Sequence, residues 1–225
     1  MTLHLTFEEG REALLDELAE WDRLLDAFDE LDAPSRCSGW TCGQVLVHVH
    51  WGLQSMALDL LAPDGPGPVT VDAAGYWTRY PGLEADDRTR EREARLLAAV
   101  ADAYSRPDAL TGHVAATVRG LIRGVERVPD GRIAFQDMTF STGDFLGSWA
   151  VELAVHHLDL ELIADPPAAS ALRLARRTVE DLTAATVPAD WDDATVVLAG
   201  TGRVELTGTE ALRHPGLREA FPVLR

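Results

Sequence analysis

Apolar residues near the start of the chain recur at alternating intervals of four and three. Leu14, Leu18, Trp21, Leu25 and Phe28 therefore line one face of a helix. Thr6-Phe7-Glu8-Glu9 ahead of them has the form of a capping box, with Thr6 as the N-cap and Glu9 reaching back. Asp32-Ala33-Pro34 ends the helix, at about Leu31. Thr41-Cys42-Gly43-Gln44 is a second capping box and opens a helix from about Cys42 to Leu61. The pattern is helical again from about Asp87 to Arg127, with a break at Ser105-Arg106-Pro107. Leu110, Val114, Val118, Leu121 and Val125 line one face of its second half. Ser141 or Thr142 can cap a further helix running to about Ala164, which Asp165-Pro166-Pro167 ends.

The intervening segments read differently. The stretch from Ala62 to Pro81, with Pro63, Gly65, Pro66, Gly67 and Pro68, is a long irregular loop. Its Tyr76, Trp77 and Tyr80 suit either a functional lid or a loop packed on the core. Arg132 to Phe135 reads as a short extended piece after the turn Pro129-Asp130-Gly131. Four substantial helices with few strand signals predict a four-helix bundle over residues 1–166. Residues 167–225 read as a small α+β domain. Ser170 to Thr186 is helical, while Thr195–Ala199 and Arg203–Thr207 are β-branched runs joined by Gly200-Thr201-Gly202, a hairpin signal. The expected class is thus mostly α, a four-helix bundle with a C-terminal α+β appendage containing a β-hairpin.

Composition then removes whole classes of function. The formal net charge is −17, a field that repels nucleic-acid backbones and anionic membrane surfaces. There is no Lys in the 225 residues, so neither a P-loop lysine nor a Schiff-base lysine is available. Asn is absent too, a bias expected of a GC-rich coding sequence. Cys37 and Cys42 do not make a disulfide framework. No apolar run approaches the length of a membrane span, and Met1 to Gly10 lacks the basic and apolar regions of a signal peptide. A reducing cytoplasm is the expected compartment.

The chemistry lies on the fourth helix. Its inner stripe runs Phe145, Trp149, Glu152, His156, Leu160, Ile163, apolar at both ends and polar in the middle. A carboxylate and an imidazole four apart stand one turn above each other. A buried carboxylate needs a partner, which is either a metal ion or simply the imidazole itself. On the second helix the stripe Val45, His48, Gly52, Ser55, Met56 offers a third ligand, with small residues leaving space beside it. Two His and one Glu make a three-ligand zinc set with an open fourth position, although the same donors take other divalent metals. Without a His-Glu-x-x-His run the chain is not a zincin protease. His50 points about 200° away around its helix. His157 lies off the inner stripe and reads as a partly exposed residue. Asp159 either orients His156 or forms a surface salt bridge. His4, His113 and His214 have no sequence companions, and both cysteines read as small apolar residues.

The run Ser35-Arg36-Cys37-Ser38-Gly39-Trp40-Thr41, with His48 eight residues after the tryptophan, resembles the signature of the mycothiol-dependent maleylpyruvate isomerase family. That family is part of the DinB-like superfamily of metal-binding four-helix bundles. Glu152-Leu153-Ala154-Val155-His156-His157-Leu158-Asp159-Leu160 resembles its second block. Ser38 stands where family members usually have Pro, and Trp149 where they often have Arg. The resemblance implies His48, Glu152 and His156 as metal ligands and mycothiol as thiol co-substrate.

A divalent ion with two neutral imidazoles and one carboxylate carries net charge +1, so a thiol in the open position is readily deprotonated. Its thiolate can isomerise an activated double bond by addition and elimination, or displace a leaving group in S-transfer. A small electrophile is the expected partner. The competing reading is a non-catalytic binding protein whose metal site is structural or vestigial, closed for example by His50 or Cys37.

Overall fold

The computed structural model describes residues 2–61, 67–104, 106–160 and 165–224. Ile163 and the expected helix end at Ala164 lie outside them. The helices predicted from periodicity are α1 (Phe7–Ala27), α2 (Cys42–Leu61), α3 (Asp87–Ala103), α4 (Pro107–Val125) and α5 (Thr142–Leu160). Both capping boxes form. Thr6 Oγ1 accepts from the Glu9 amide while Glu9 Oε2 accepts from the Thr6 amide, and Thr41 and Gln44 do the same. Ser141 Oγ accepts from the Asp144 amide and caps α5.

Helices α1, α2, α4 and α5 form the bundle: α1 packs along α4 and α5, α2 packs against the same two, and α3 lies against α2. The two halves of the predicted 87–127 helix are separate elements, because Pro107 starts α4 afresh. Helix α5 is the axis of the structure. Every residue in it is buried except Trp149 and Glu152. Its N-terminus is pressed against that of α1, where Gly10 and Gly143 meet. A Cβ on Gly10 would lie 2.0 Å from the Gly143 carbonyl oxygen, and one on Gly143 would lie 2.5 Å from that of Thr6.

The strands β1 (Arg132–Phe135) and β2 (Met138–Ser141) pair antiparallel, with Phe135 opposite Met138. Gln136 and Asp137 between them both have positive φ, 49° and 61°, as a two-residue hairpin turn of the I′ kind requires. The aromatic loop is packed rather than free. Thr70 pairs its backbone with Thr139, Val71, Ala73 and Ala74 are buried, and Asp72 Oδ1 accepts from the Ala74 and Gly75 amides just ahead of a short 3₁₀ turn at Gly75–Thr78. Among the described residues no helix is long and apolar enough to cross a membrane.

The C-terminal region corrects one expectation. No strand forms between Thr195 and Thr207. Asp192 accepts from the Thr195 amide and caps α7 (Asp193–Gly200), whose Val196 and Val197 are fully buried against α6 (Ala169–Leu182) and the bundle. Burial of the valines and a strong N-cap outweigh their β propensity. Gly200-Thr201-Gly202 is the exit from this helix. Gly202 has φ +72°, its amide donates to the Ala199 carbonyl, and the Arg203 amide donates to that of Leu198. This is the Schellman pattern of hydrogen bonds. Two short helices, α8 (Gly208–Arg213) and α9 (Pro215–Ala220), complete the described chain.

The glycine contact makes a prediction. Gly10→Ala should lower the free energy of unfolding by about 2 kcal/mol through overpacking. Gly112→Ala, where an added Cβ meets nothing within 4 Å, should raise it by about 0.5–1 kcal/mol. Denaturant unfolding of the two variants measures both, and equal effects would contradict the packing.

Candidate metal centre

The three residues singled out in the sequence come together. His48 Nε2 lies 3.4 Å from Glu152 Oε1, and His156 Nε2 lies 3.3 Å from the same oxygen. One ligand atom from each of the three falls within 4.8 Å of the others. Four donors arranged tetrahedrally at 2.0–2.2 Å around an ion are spaced roughly 3.4 Å apart. The donor set and two of its spacings thus fit a divalent cation.

Helix geometry explains the convergence. Glu152 and His156 rise from successive turns of α5, and His48 faces them from α2, where Gly52 allows close approach. A Cβ on Gly52 would lie 3.1 Å from the Trp149 ring. The rings of His48 and His156 meet edge to face at 4.9 Å, and Trp40 covers His48 at 5.3 Å. Trp40 is placed by the turn Cys37-Ser38-Gly39-Trp40. Its amide donates to the Cys37 carbonyl, and Gly39 has φ +82°, the value a type II turn demands at that position. The Arg36 amide donates to the Asp159 carbonyl and ties this loop to the end of α5.

Behind the site stands a buried acid. Asp159 is fully buried and takes His156 Nδ1 at 2.9 Å. Arg203 grips both its oxygens, Nε to Oδ1 and Nη2 to Oδ2, each at 3.1 Å. The Schellman turn of α7 delivers Arg203 to this position. A carboxylate on Nδ1 holds a proton there and fixes the ring so that Nε2 faces Glu152. Burial opposes ionisation of Glu152, but the charge and hydrogen bond of His156, with those of His48, hold its carboxyl well below the usual range. Burial likewise opposes the charge on His156, yet Glu152 and Asp159 together raise it to about 9. Burial pushes the Cys37 thiol up to about 11.

The remaining sequence candidates lie elsewhere. His50 points away from the site and bonds Thr117 Oγ1 and Gln54. His157 is not partly exposed but almost wholly buried. Its Nδ1 meets Glu17 Oε1 at 2.8 Å, and the Ala168 amide donates to the other oxygen of Glu17. Helix α6 covers this side of α5, which an isolated helix would leave to water. His4 meets Asp144, His113 meets Tyr104, and His214 meets Trp191 edge to face. Cys37 lines the cavity next to the site, whereas Cys42 is buried at the start of α2.

That cavity holds about 470 Å³ and opens over the three ligand atoms. Tyr76, Trp77 and Tyr80 of the packed loop close one side. Phe135 and Gln136 of the hairpin close another, where Gln136 Oε1 accepts from the Tyr76 hydroxyl at 3.2 Å.

The family model for the mycothiol maleylpyruvate isomerase N-terminal domain matches residues 14–161, well over half of the chain. The chain belongs to this family. Two solved structures are similar, the mycothiol-dependent maleylpyruvate isomerase (TM-score 0.50) and a histidine-to-alanine mutant of it (TM-score 0.51). Each is 17% identical, with 80% of this chain and 70% of the other covered. At that identity the likeness is one of fold, mostly helical with a two-stranded hairpin. No protein of curated function matches the chain.

The ion pair has a pH signature in protein treated with a chelator. His156, raised from 6.5 to about 9, contributes stability that is complete below pH 6.5 and lost as pH climbs through about 9. Glu152, lowered from 4.5, contributes stability that is complete above pH 4.5 and lost in acid. The melting temperature should therefore fall between pH 6.5 and 9.5, and this fall should shrink in His156→Gln. A loss of equal size in the variant would contradict the pairing.

Proposed function

We propose that this chain is a metal-dependent enzyme that activates a low-molecular-weight thiol, mycothiol, for isomerisation or S-transfer on a small electrophile. The observation that carries the reading is the convergence of His48, Glu152 and His156 under an open cavity, in a member of a family named for mycothiol chemistry. These three residues would hold the ion. A bound divalent ion, most simply zinc, would supply the positive charge that lets a thiol ionise at neutral pH.

The chain's own residues do the rest. Glu152 remains a carboxylate and offsets part of that charge. Asp159, anchored by Arg203, keeps the His156 proton at Nδ1 and the ring in one orientation. The aromatic walls exclude water, which strengthens every electrostatic interaction inside. For isomerisation, sulfur adds to the activated double bond and the displaced electron pair moves onto the conjugated carbonyl. The former double bond rotates, the pair returns, and the same thiolate leaves. For S-transfer, a carbon–sulfur bond forms as the leaving group departs with its electron pair.

Purified protein should contain about one equivalent of metal. His156→Ala should lose it together with any thiol-dependent activity, while His50→Ala, on the same bundle but away from the site, should keep both. Asp159→Asn should weaken metal binding about 10–100-fold without abolishing it. Metal analysis and melting curves on all three variants separate a local effect from unfolding. Equal metal loss in His50→Ala and His156→Ala would overturn the reading, as would a metal that no thiol can reach. Thiolate-to-metal charge-transfer absorption of the cobalt(II)-substituted protein reports that access.

A further inference from the structure

The cavity over the site is far richer in aromatic rings than in charge. Four of the chain's six tryptophans and two of its three tyrosines line it, together with Phe135. The rings are held in place by one another. Phe145 meets Trp149 at 6.4 Å, Phe135 meets Trp149 at 5.9 Å and Tyr76 at 6.0 Å. Trp149 packs against Gly52. Phe145 is fully buried, so the wall is an extension of the bundle core.

Apart from the two imidazoles, the charged side chains among the described wall residues are Glu93, Glu152 and Arg203. Arg203 is committed. Its Nε and Nη2 fork on Asp159, and its Nη1 donates to the Thr201 carbonyl at 3.3 Å. The fork neutralises the guanidinium, which therefore offers no uncompensated charge to a ligand. A divalent ion balanced by Glu152 and one thiolate is likewise neutral. With the thiolate in place, a carboxylate brought into this space would lose its water and find no uncompensated cation among the described wall residues, at a cost of several kcal/mol. A flat apolar ligand gains ring stacking on each wall it meets.

We propose that the electrophile taken by this site is a neutral, planar, conjugated compound, such as an aromatic ester or enone, and not a dicarboxylate. The proposal rests on the thiol-and-metal reading for the identity of the nucleophile, while the preference itself belongs to the walls.

Calorimetric titration of the metal-loaded protein, its open position first saturated with a simple neutral thiol, with methyl cinnamate and with maleate tests it. The ester should bind at least 10-fold more tightly. Phe135→Leu should weaken the ester about 5-fold or more and leave maleate unchanged. Trp51→Leu, at the exposed rim where folding is not at stake, should weaken the ester about 2-fold or more. Maleate binding as tightly as the ester would overturn the proposal. So would an ester preference that neither variant moves, since the binding would then lie outside this cavity. The function above fails separately. Protein that retains no metal but still prefers the ester contradicts the thiol-and-metal reading and leaves the specificity standing. Metal-loaded protein with thiol-dependent turnover that prefers maleate does the reverse.

Discussion

A carboxylate placed between two imidazoles at the bottom of a nonpolar cavity constrains everything around it. Glu152 is one of only two residues of α5 that escape burial, and its charge is tolerated because His48 and His156 each approach the same oxygen. Left alone, an ionised side chain in such surroundings would cost several kcal/mol or take up a proton. Here the imidazoles hold it ionised, and it in turn raises His156. The two imidazole nitrogens stand 3.4 and 3.3 Å from that oxygen, the spacing of donors in one coordination shell. An arrangement that satisfies this half-buried acid without metal is also one that could hold an ion, as the proposed function requires.

Two distant segments converge to make this arrangement rigid. The Ser35–Thr41 turn, built on the positive φ of Gly39, lays Trp40 on His48 and ties itself to the end of α5. The Schellman exit of α7 aims Arg203 at Asp159, which fixes His156 from behind. The C-terminal region therefore supports the site from behind and adds Thr201, Arg203 and Leu224 to the cavity wall. The mouth is closed by the packed loop and by the hairpin, both inside the family-matched segment.

Much of this could be read from residue order because the signals were local. Capping boxes at Thr6 and Thr41, the four-three spacing on α1 and α4, and the polar interruption of an apolar stripe at Glu152 and His156 depend on neighbours within a turn or two. What escaped depends on distant partners. Glu17 and His157 gave no sign of pairing, because they meet only when α5 lies on α1. The β1–β2 turn carries Gln136-Asp137 rather than Asn-Gly or Asp-Gly, so its positive φ values left no mark in composition. Thr195 to Ala199 looked like a strand because β-branched residues crowd it, and Asp192, the N-cap that starts a helix there, went unread. Tyr76, Trp77 and Tyr80 were visible as an oddity of a loop, but their union with Phe135 and Trp149 in one cavity is a property of the fold.

X-ray absorption at the metal edge of the purified protein, with and without added thiol, decides whether the site is the open centre described. The expected shell has two imidazole nitrogens, one carboxylate oxygen and one further light atom at about 2.0–2.2 Å. On addition of the thiol the light atom should give way to a single sulfur at about 2.3 Å. A shell closed by a fourth protein ligand, unchanged by the thiol, would contradict it.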